Sequence, residues 1–261
     1  MKRIGRFLAL LIISIYLVFL YSPIIINILG SFSPRKYIID LSTPTLHWFI
    51  EAFSNKDVIA SSTNSIKLSI VSSLISSLTG FLVGYAYVMR RPRGFIDVMI
   101  YVPIIIPEII EAFTLAIFYI TLRVEMGFTT VLLGHLTFNI AYAFVIIRSR
   151  IDLIPREIIN VARVLGANDL YILLRIVLPL ALPAILSSIF LTFALSFDDL
   201  IKTLFTSGPG FKTLPVLIWS KVGRGGITPE INAITTIILL ISLSISLVLT
   251  YIIRKDLEKL S

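Results

Sequence analysis

Six apolar runs of membrane-crossing length, at roughly 7–29, 64–89, 97–122, 129–148, 181–204 and 231–253, leave this chain few ways to fold. A bilayer core needs about 20 apolar residues per helix, so the expectation is an all-α, polytopic membrane protein with about six spans in a single transmembrane domain over residues 1–261. Composition agrees. Of 261 residues, 57% are hydrophobic and only 15% charged, with a mean hydropathy of +0.96; a soluble domain carries about a quarter charged residues. A net charge of +8 would suit nucleic acid, but the basic residues lie between apolar runs, where membrane topology explains them and no nucleic acid is needed. The chain has no cysteine, which excludes disulfides and thiolate metal sites. The start, MKRIGRFLALLIISIYLVFLYSP, is similar to a signal peptide, but its run is long and lacks a small-residue cleavage site, so it reads as a retained first span.

Basic residues set the expected sidedness. Lys2, Arg3, Arg6, Arg90, Arg91, Arg93, Arg148, Arg150, Arg156, Arg163, Arg175, Arg254, Lys255 and Lys259 fall on one side. They outnumber Arg35, Lys36, Lys56, Arg123, Lys212, Lys221 and Arg224, which are spread over longer loops on the other. Both termini and the 148–176 segment are therefore expected in the cytoplasm. In the second run, Ser65, Ser69, Ser72, Ser76, Gly80 and Gly84 form a small-residue stripe at three- or four-residue spacing. Such stripes let helix backbones approach closely in lipid, and helix packing is sufficient to explain this one.

One interior segment does not fit a span: DLIPREIINVARVLGANDLYILLRIVLP, residues 152–179. Pro155 suits a first helical position, Glu157 the positive end of the helix dipole, and Ile158, Val161, Ala162 and Leu165 an apolar stripe. Gly166 fits a left-handed helix end, and a second helix is expected from Asn168 or Asp169 to Pro179. The stripe needs a partner, either the protein's own helix ends or another protein.

The segment resembles the cytoplasmic signature of ABC-importer permeases: Glu-Ala-Ala, three residues, Gly, nine residues, Ile-x-Leu-Pro. Asn160-Val161-Ala162 stands at the triplet, followed by Gly166, Ile176, Leu178 and Pro179. Asn and Val replace the usual Glu and first Ala. The resemblance implies that 155–179 is a coupling segment that inserts into a cytosolic ATPase, with Ile158, Asn160, Val161, Ala162, Leu165, Gly166, Ile176, Leu178 and Pro179 as coupling residues. The stretch SFDDLIKTLFTSGPGFKTLPVLIWSKVGRGGITPEINAITTIILL resembles the C-terminal third of spermidine/putrescine-type permeases, through Asp198-Asp199, Ser207-Gly208-Pro209-Gly210, Thr213-Leu214-Pro215 and Thr228-Pro229-Glu230-Ile231-Asn232-Ala233. The implied fold is the type I importer permease. The implied partners are a dimer of cytosolic ATPases, a second permease subunit and an extracytoplasmic substrate-binding protein. The ordered loop between the fifth and sixth runs either meets that binding protein or caps the bundle.

Ionisable groups inside spans are expensive. Glu108 and Glu111, after Pro103 and Pro107 in a stretch expected to be kinked, and Asp198 and Asp199, near the outer end of the fifth run, are candidate substrate-pathway residues. Lys202 offers a competing explanation, pairing with Asp198 or Asp199. His47 and His135 have no ligand spacing around them, so no metal site is expected. Without a P-loop or a nucleophile–base set, the chain is not expected to be an enzyme or to need a cofactor. The expectation is a permease for a small cation, with a polyamine as the cargo the resemblance implies. Ferric iron, thiamine or an oxyanion are alternative cargoes, the acids arguing against the oxyanion. An ion-gradient secondary transporter would need two inverted halves with matching broken helices and would leave 155–179 unexplained.

Overall fold

The computed structural model describes residues 2–36, 38–90 and 94–258, and all regular structure among them is helical. Arg91, Arg93 and Lys259, used above for sidedness, lie outside the described residues. The helices are α1 (Lys2–Ser31), α2 (His47–Ser54), α3 (Lys56–Arg90), α4 (Phe95–Ile105), α5 (Glu108–Thr121), α6 (Phe128–Ile151), α7 (Arg156–Val164), α8 (Asp169–Tyr171), α9 (Leu178–Phe197), α10 (Ile201–Thr206), α11 (Leu214–Gly225) and α12 (Pro229–Glu258), with a π-helical turn at Ile172–Val177 joining α8 to α9. Among the described residues, four stretches are long and apolar enough to cross a membrane: Ala9–Ser31, Lys56–Arg90, Phe128–Ile151 and Asp169–Phe197. A fifth is added if the bent pair α4–α5 is one span, and the apolar part of α12, Pro229–Ser244, is shorter. The chain forms two compact units, Ala60–Leu217 and Met1–Ile59 with Ile218–Ser261.

In the larger unit, α3 turns its small face inward. Ser65, Ser69, Ser72 and Ser76 are fully buried, together with Ser73 and Ser77. A Cβ added at Gly80 would stand 2.7 Å from Ala143 Cβ and 2.8 Å from the Phe144 nitrogen, so only glycine allows α3 to cross α6 this closely. Hydroxyls and one amide join the helices where lipid offers no hydrogen bonds: Asn139 donates to Ser72 at 2.9 Å and Ser188 to Ser77 at 2.9 Å. Such bonds average about 0.6 kcal/mol each in a membrane bundle. Phe81, Ala143, Ile147 and Ile151 continue this core down to Ile159, Ile172 and Val177.

The interior segment folds as α7 and a left-handed turn. Pro155 is the N-cap rather than the first helical residue, a shift of one position. Gly166 has φ +89°, its N–H bonds Arg163 O at 3.0 Å, and Ala167 N–H bonds Ala162 O at 2.9 Å. Those two bonds make a Schellman closure. The expected second helix does not stop at Pro179. It runs continuously from Asp169 to Phe197. Proline at 179 removes one backbone N–H and crowds the carbonyl four residues back; the wide turn before it, in which Leu178 N–H reaches Leu173 O, makes room. The expected fifth run at 181–204 is corrected accordingly: its helix starts earlier and ends at Phe197.

In the smaller unit, α1 and α12 pack together through polar links. Asn27 donates to Thr236 at 3.3 Å and accepts from Thr235 at 3.0 Å. Lys221 and Asn55 both meet Glu230, at 2.7 and 3.2 Å. Pro229 opens α12 with Glu230 in its first turn.

Candidate functional site

Two helix breaks build the site. Proline at 107 forces the residue before it to be extended, and Ile106 takes φ −67°, ψ 131° at the end of α4. The chain then turns through 102° and restarts as α5. Glu108 and Glu111 lie in the first turn of α5, where unsatisfied N–H groups favour negative charge. The second break follows Phe197. Asp199 Oδ1 accepts the Thr203 N–H and the Thr203 hydroxyl, each at 2.8 Å, and so starts α10. α10 packs against α5 and α6, which brings the two breaks together.

The four acids have unequal surroundings. Asp199 is buried, with His135 Nε2 at 3.2 Å from Oδ1. His135 is itself fully buried; its Nδ1 stands 2.7 Å from Ser196 Oγ and its Nε2 3.0 Å from Thr203 Oγ1. Glu111 accepts from Thr137 and pairs with Lys202 Nζ at 2.6 Å. Lys202 is 1% exposed and its ammonium lies 3.7 Å from the centre of the Phe138 ring, a cation–π contact. The competing explanation, a pairing of Lys202 with Asp198 or Asp199, gives way to the pair with Glu111. On a helix turn of only six residues, Lys202 points across to α5 and not back along its own chain. Glu108, beside Asp199, and Asp198 remain exposed. The four acids, Lys202 and Phe138 line a cleft of about 550 Å³ with Pro103, Ile104, Ile106, Tyr142, Leu195, Leu200 and Ile201.

The residues of the interior segment lie elsewhere, on two faces of α7 and along the start of the α8–α9 stretch. Ile158, Asn160, Val161, Leu165 and Gly166 are exposed, and Leu165 is 81% exposed. Ala162, Ile176 and Leu178 are half-buried and pack on the core, and Pro179 is exposed. The residue that seats α7 on the helix ends is Ile159, absent from the expected stripe and buried. The stripe is therefore split: Ala162 joins Ile159 inward, while Ile158, Val161 and Leu165 face out with Val164, which is 88% exposed.

Sequence reasoning missed His135, Thr203, Ser196 and Phe138 as parts of the site. A histidine in mid-span was visible, but nothing local marks partners that lie about 60 residues away. The ion pair of Glu111 and Lys202 is equally non-local.

Residues 59–256 match the family described as "Binding-protein-dependent transport system inner membrane component". The chain is 32% identical over 258 residues, 98% of it and 97% of the relative, to the spermidine/putrescine transport system permease protein PotC of Escherichia coli (strain K12). It is 33% identical over 231 residues, 85% of it and 82% of the relative, to the putrescine transport system permease protein PotI of the same organism. Among solved structures it resembles a chain of a bacterial ABC transporter involved in the import of the acidic polysaccharide alginate, with a TM-score of 0.69 and 20% identity, covering 96% of this chain and 97% of that one.

Proposed function

The chain belongs to the family of binding-protein-dependent transport system inner membrane components, and on that premise we propose that its cleft passes a polyamine into the cell. The observation that carries this is the acid-rich cleft between the two helix breaks, with Glu108 and Asp198 exposed in it. A polyamine holds its ammonium groups along a flexible chain, and carboxylates spaced along a pathway suit it better than one deep charge. The two E. coli relatives are named for spermidine and putrescine transport, which supports the same cargo. The acids disfavour an oxyanion.

In this reading the chain works as one transmembrane domain beside a second permease subunit, with both termini cytoplasmic. ATP is bound and hydrolysed by a separate pair of ATPase subunits. An extracytoplasmic binding protein delivers the cargo. The exposed face of α7, with Ile158, Asn160, Val161, Leu165 and Gly166, docks on the ATPase, and the inner face, through Ile159 and Ala162, passes the motion to the helix ends. Closure of the ATPase pair then drives rigid-body alternation of the spans.

The test is a Glu108→Gln/Asp198→Asn variant, which removes charge and keeps size. Uptake of labelled putrescine and spermidine should fall at least about tenfold, while assembly with the ATPase and its basal hydrolysis stay at wild-type levels. Unchanged uptake would leave the acids with no part in transport.

A further inference from the structure

The four acids at the cleft would suit a cargo with three or four positive charges, yet three of them already have a partner within the protein. Asp199 is held by the Thr203 N–H, the Thr203 hydroxyl and His135, and Glu108 shares a hydrogen bond with it. Glu111 is held by Lys202. The arrangement around Lys202 is what an amine-binding subsite requires: a carboxylate at 2.6 Å, an aromatic face at 3.7 Å, and nearly complete removal from solvent. Aromatic faces and carboxylates attract a ligand ammonium by the same forces that hold the lysine one. The chain has placed its own primary ammonium in that subsite, on the wall of the cleft it shares with Glu108 and Asp198.

We propose that Lys202 is a specificity-determining residue: a tethered ammonium that fills the Glu111–Phe138 subsite and restricts the cleft to dications, so that a diamine is preferred to a triamine. The proposal rests on the polyamine reading above and refines it. Two carboxyls stay open to the cleft, Glu108 with its hydrogen bond to Asp199 and Asp198, and they match two ammonium groups. A third ammonium finds the next subsite occupied and meets the repulsion of a fixed like charge, the repulsive element by which a site rejects a near-identical ligand.

The experiment is competitive uptake of labelled putrescine and spermidine by the assembled importer, in wild type, Lys202→Met and Lys202→Met/Glu111→Gln. Wild type should prefer the diamine. Methionine keeps the length of the lysine stem and removes its charge, so Lys202→Met should raise the spermidine-to-putrescine uptake ratio at least about tenfold by freeing Glu111. The double variant, with no carboxylate to offer, should return to within about twofold of the wild-type ratio. A purely structural ion pair would instead lower uptake of both cargoes together and leave the ratio alone. A wild-type preference for the triamine overturns the proposal without any variant having to fold, as does a ratio that moves equally in the single and double variants. Uptake of neither polyamine by wild type would refute the polyamine reading itself, a different result from an unaltered ratio.

Discussion

Asp198 and Asp199 are adjacent in sequence and opposite in environment, and the difference decides what each substitution does. Asp198 is exposed to the cleft, whereas Asp199 is buried and accepts from a backbone N–H and a hydroxyl. Asp199→Ala leaves the Thr203 N–H without its acceptor and His135 without its carboxylate. It should destabilise the protein by about 1–3 kcal/mol, the usual cost of a buried polar group stripped of its partner. Asp198→Ala should change stability by no more than about 0.5 kcal/mol, as at an exposed position, while reducing polyamine uptake. Thermal unfolding in detergent beside an uptake assay separates the two; equal destabilisation would place Asp198 in the structural network. Gly80 gives a second residue-level expectation. Any side chain there meets Ala143 and the Phe144 backbone below 3.0 Å, so Gly80→Val should cost about 1–3 kcal/mol by overpacking, measured the same way. The Gly80 effect was legible in the sequence, because small residues at helical spacing have one dominant use in lipid. The split between the aspartates was not, because it depends on His135 and Thr203, which meet Asp199 only after folding.

Among the elements, α7 and the turn after it are the proposed coupling device. Nothing lies within 4 Å of a Cβ placed on Gly166, whose φ is +89°. A substitution there is felt through backbone conformation alone. Gly166→Val forces a β-branched residue into a left-handed turn, at about 1–2 kcal/mol, and should cut cargo-stimulated ATP hydrolysis with insertion intact. Gly166→Asn, which tolerates that conformation, should retain it. Leu165→Asp, altering only a side chain that is 81% exposed, should lower co-purification of the ATPase with thermal stability unchanged. Full co-purification and hydrolysis in all three variants would mean that α7 is not the docking element. The bend at Gly166 and the break at Pro107 were both legible, since glycine and proline act on their own backbone. The continuous stretch Asp169–Phe197 was not. Proline at 179 signals an end, and the π-helical turn that lets the helix pass it is set by packing of Ile172 and Val177 in the core. The stripe on α7 was half legible. Helical spacing marked an apolar patch, but only the position of the helix on its neighbours shows that Ile159 turns in and Leu165 out.

At the scale of the whole molecule, hydropathy and length determine the class of fold, and the family match over residues 59–256 agrees with it. The region expected to be kinked, 97–122, and the end of the run expected at 181–204, where the structure breaks the helix after Phe197, become walls of the same cleft. That convergence is the part no local pattern contains. It joins α5 to α10 and α6 across the sequence and turns expensive acids in apolar runs into one polar surface. Irregular backbone at membrane depth is tolerated where it lines a cavity, so the proposed cation pathway would give the breaks and the acids one common explanation. The most direct measurement is transport by the importer assembled from this chain, its partner permease, the ATPase and the binding protein, reconstituted in proteoliposomes. With ATP on the ATPase side, labelled putrescine or spermidine should accumulate, and excess thiamine, ferric iron or an acidic oligosaccharide should not compete. Accumulation of one of those cargoes, with polyamines neither transported nor competing, would contradict the assignment.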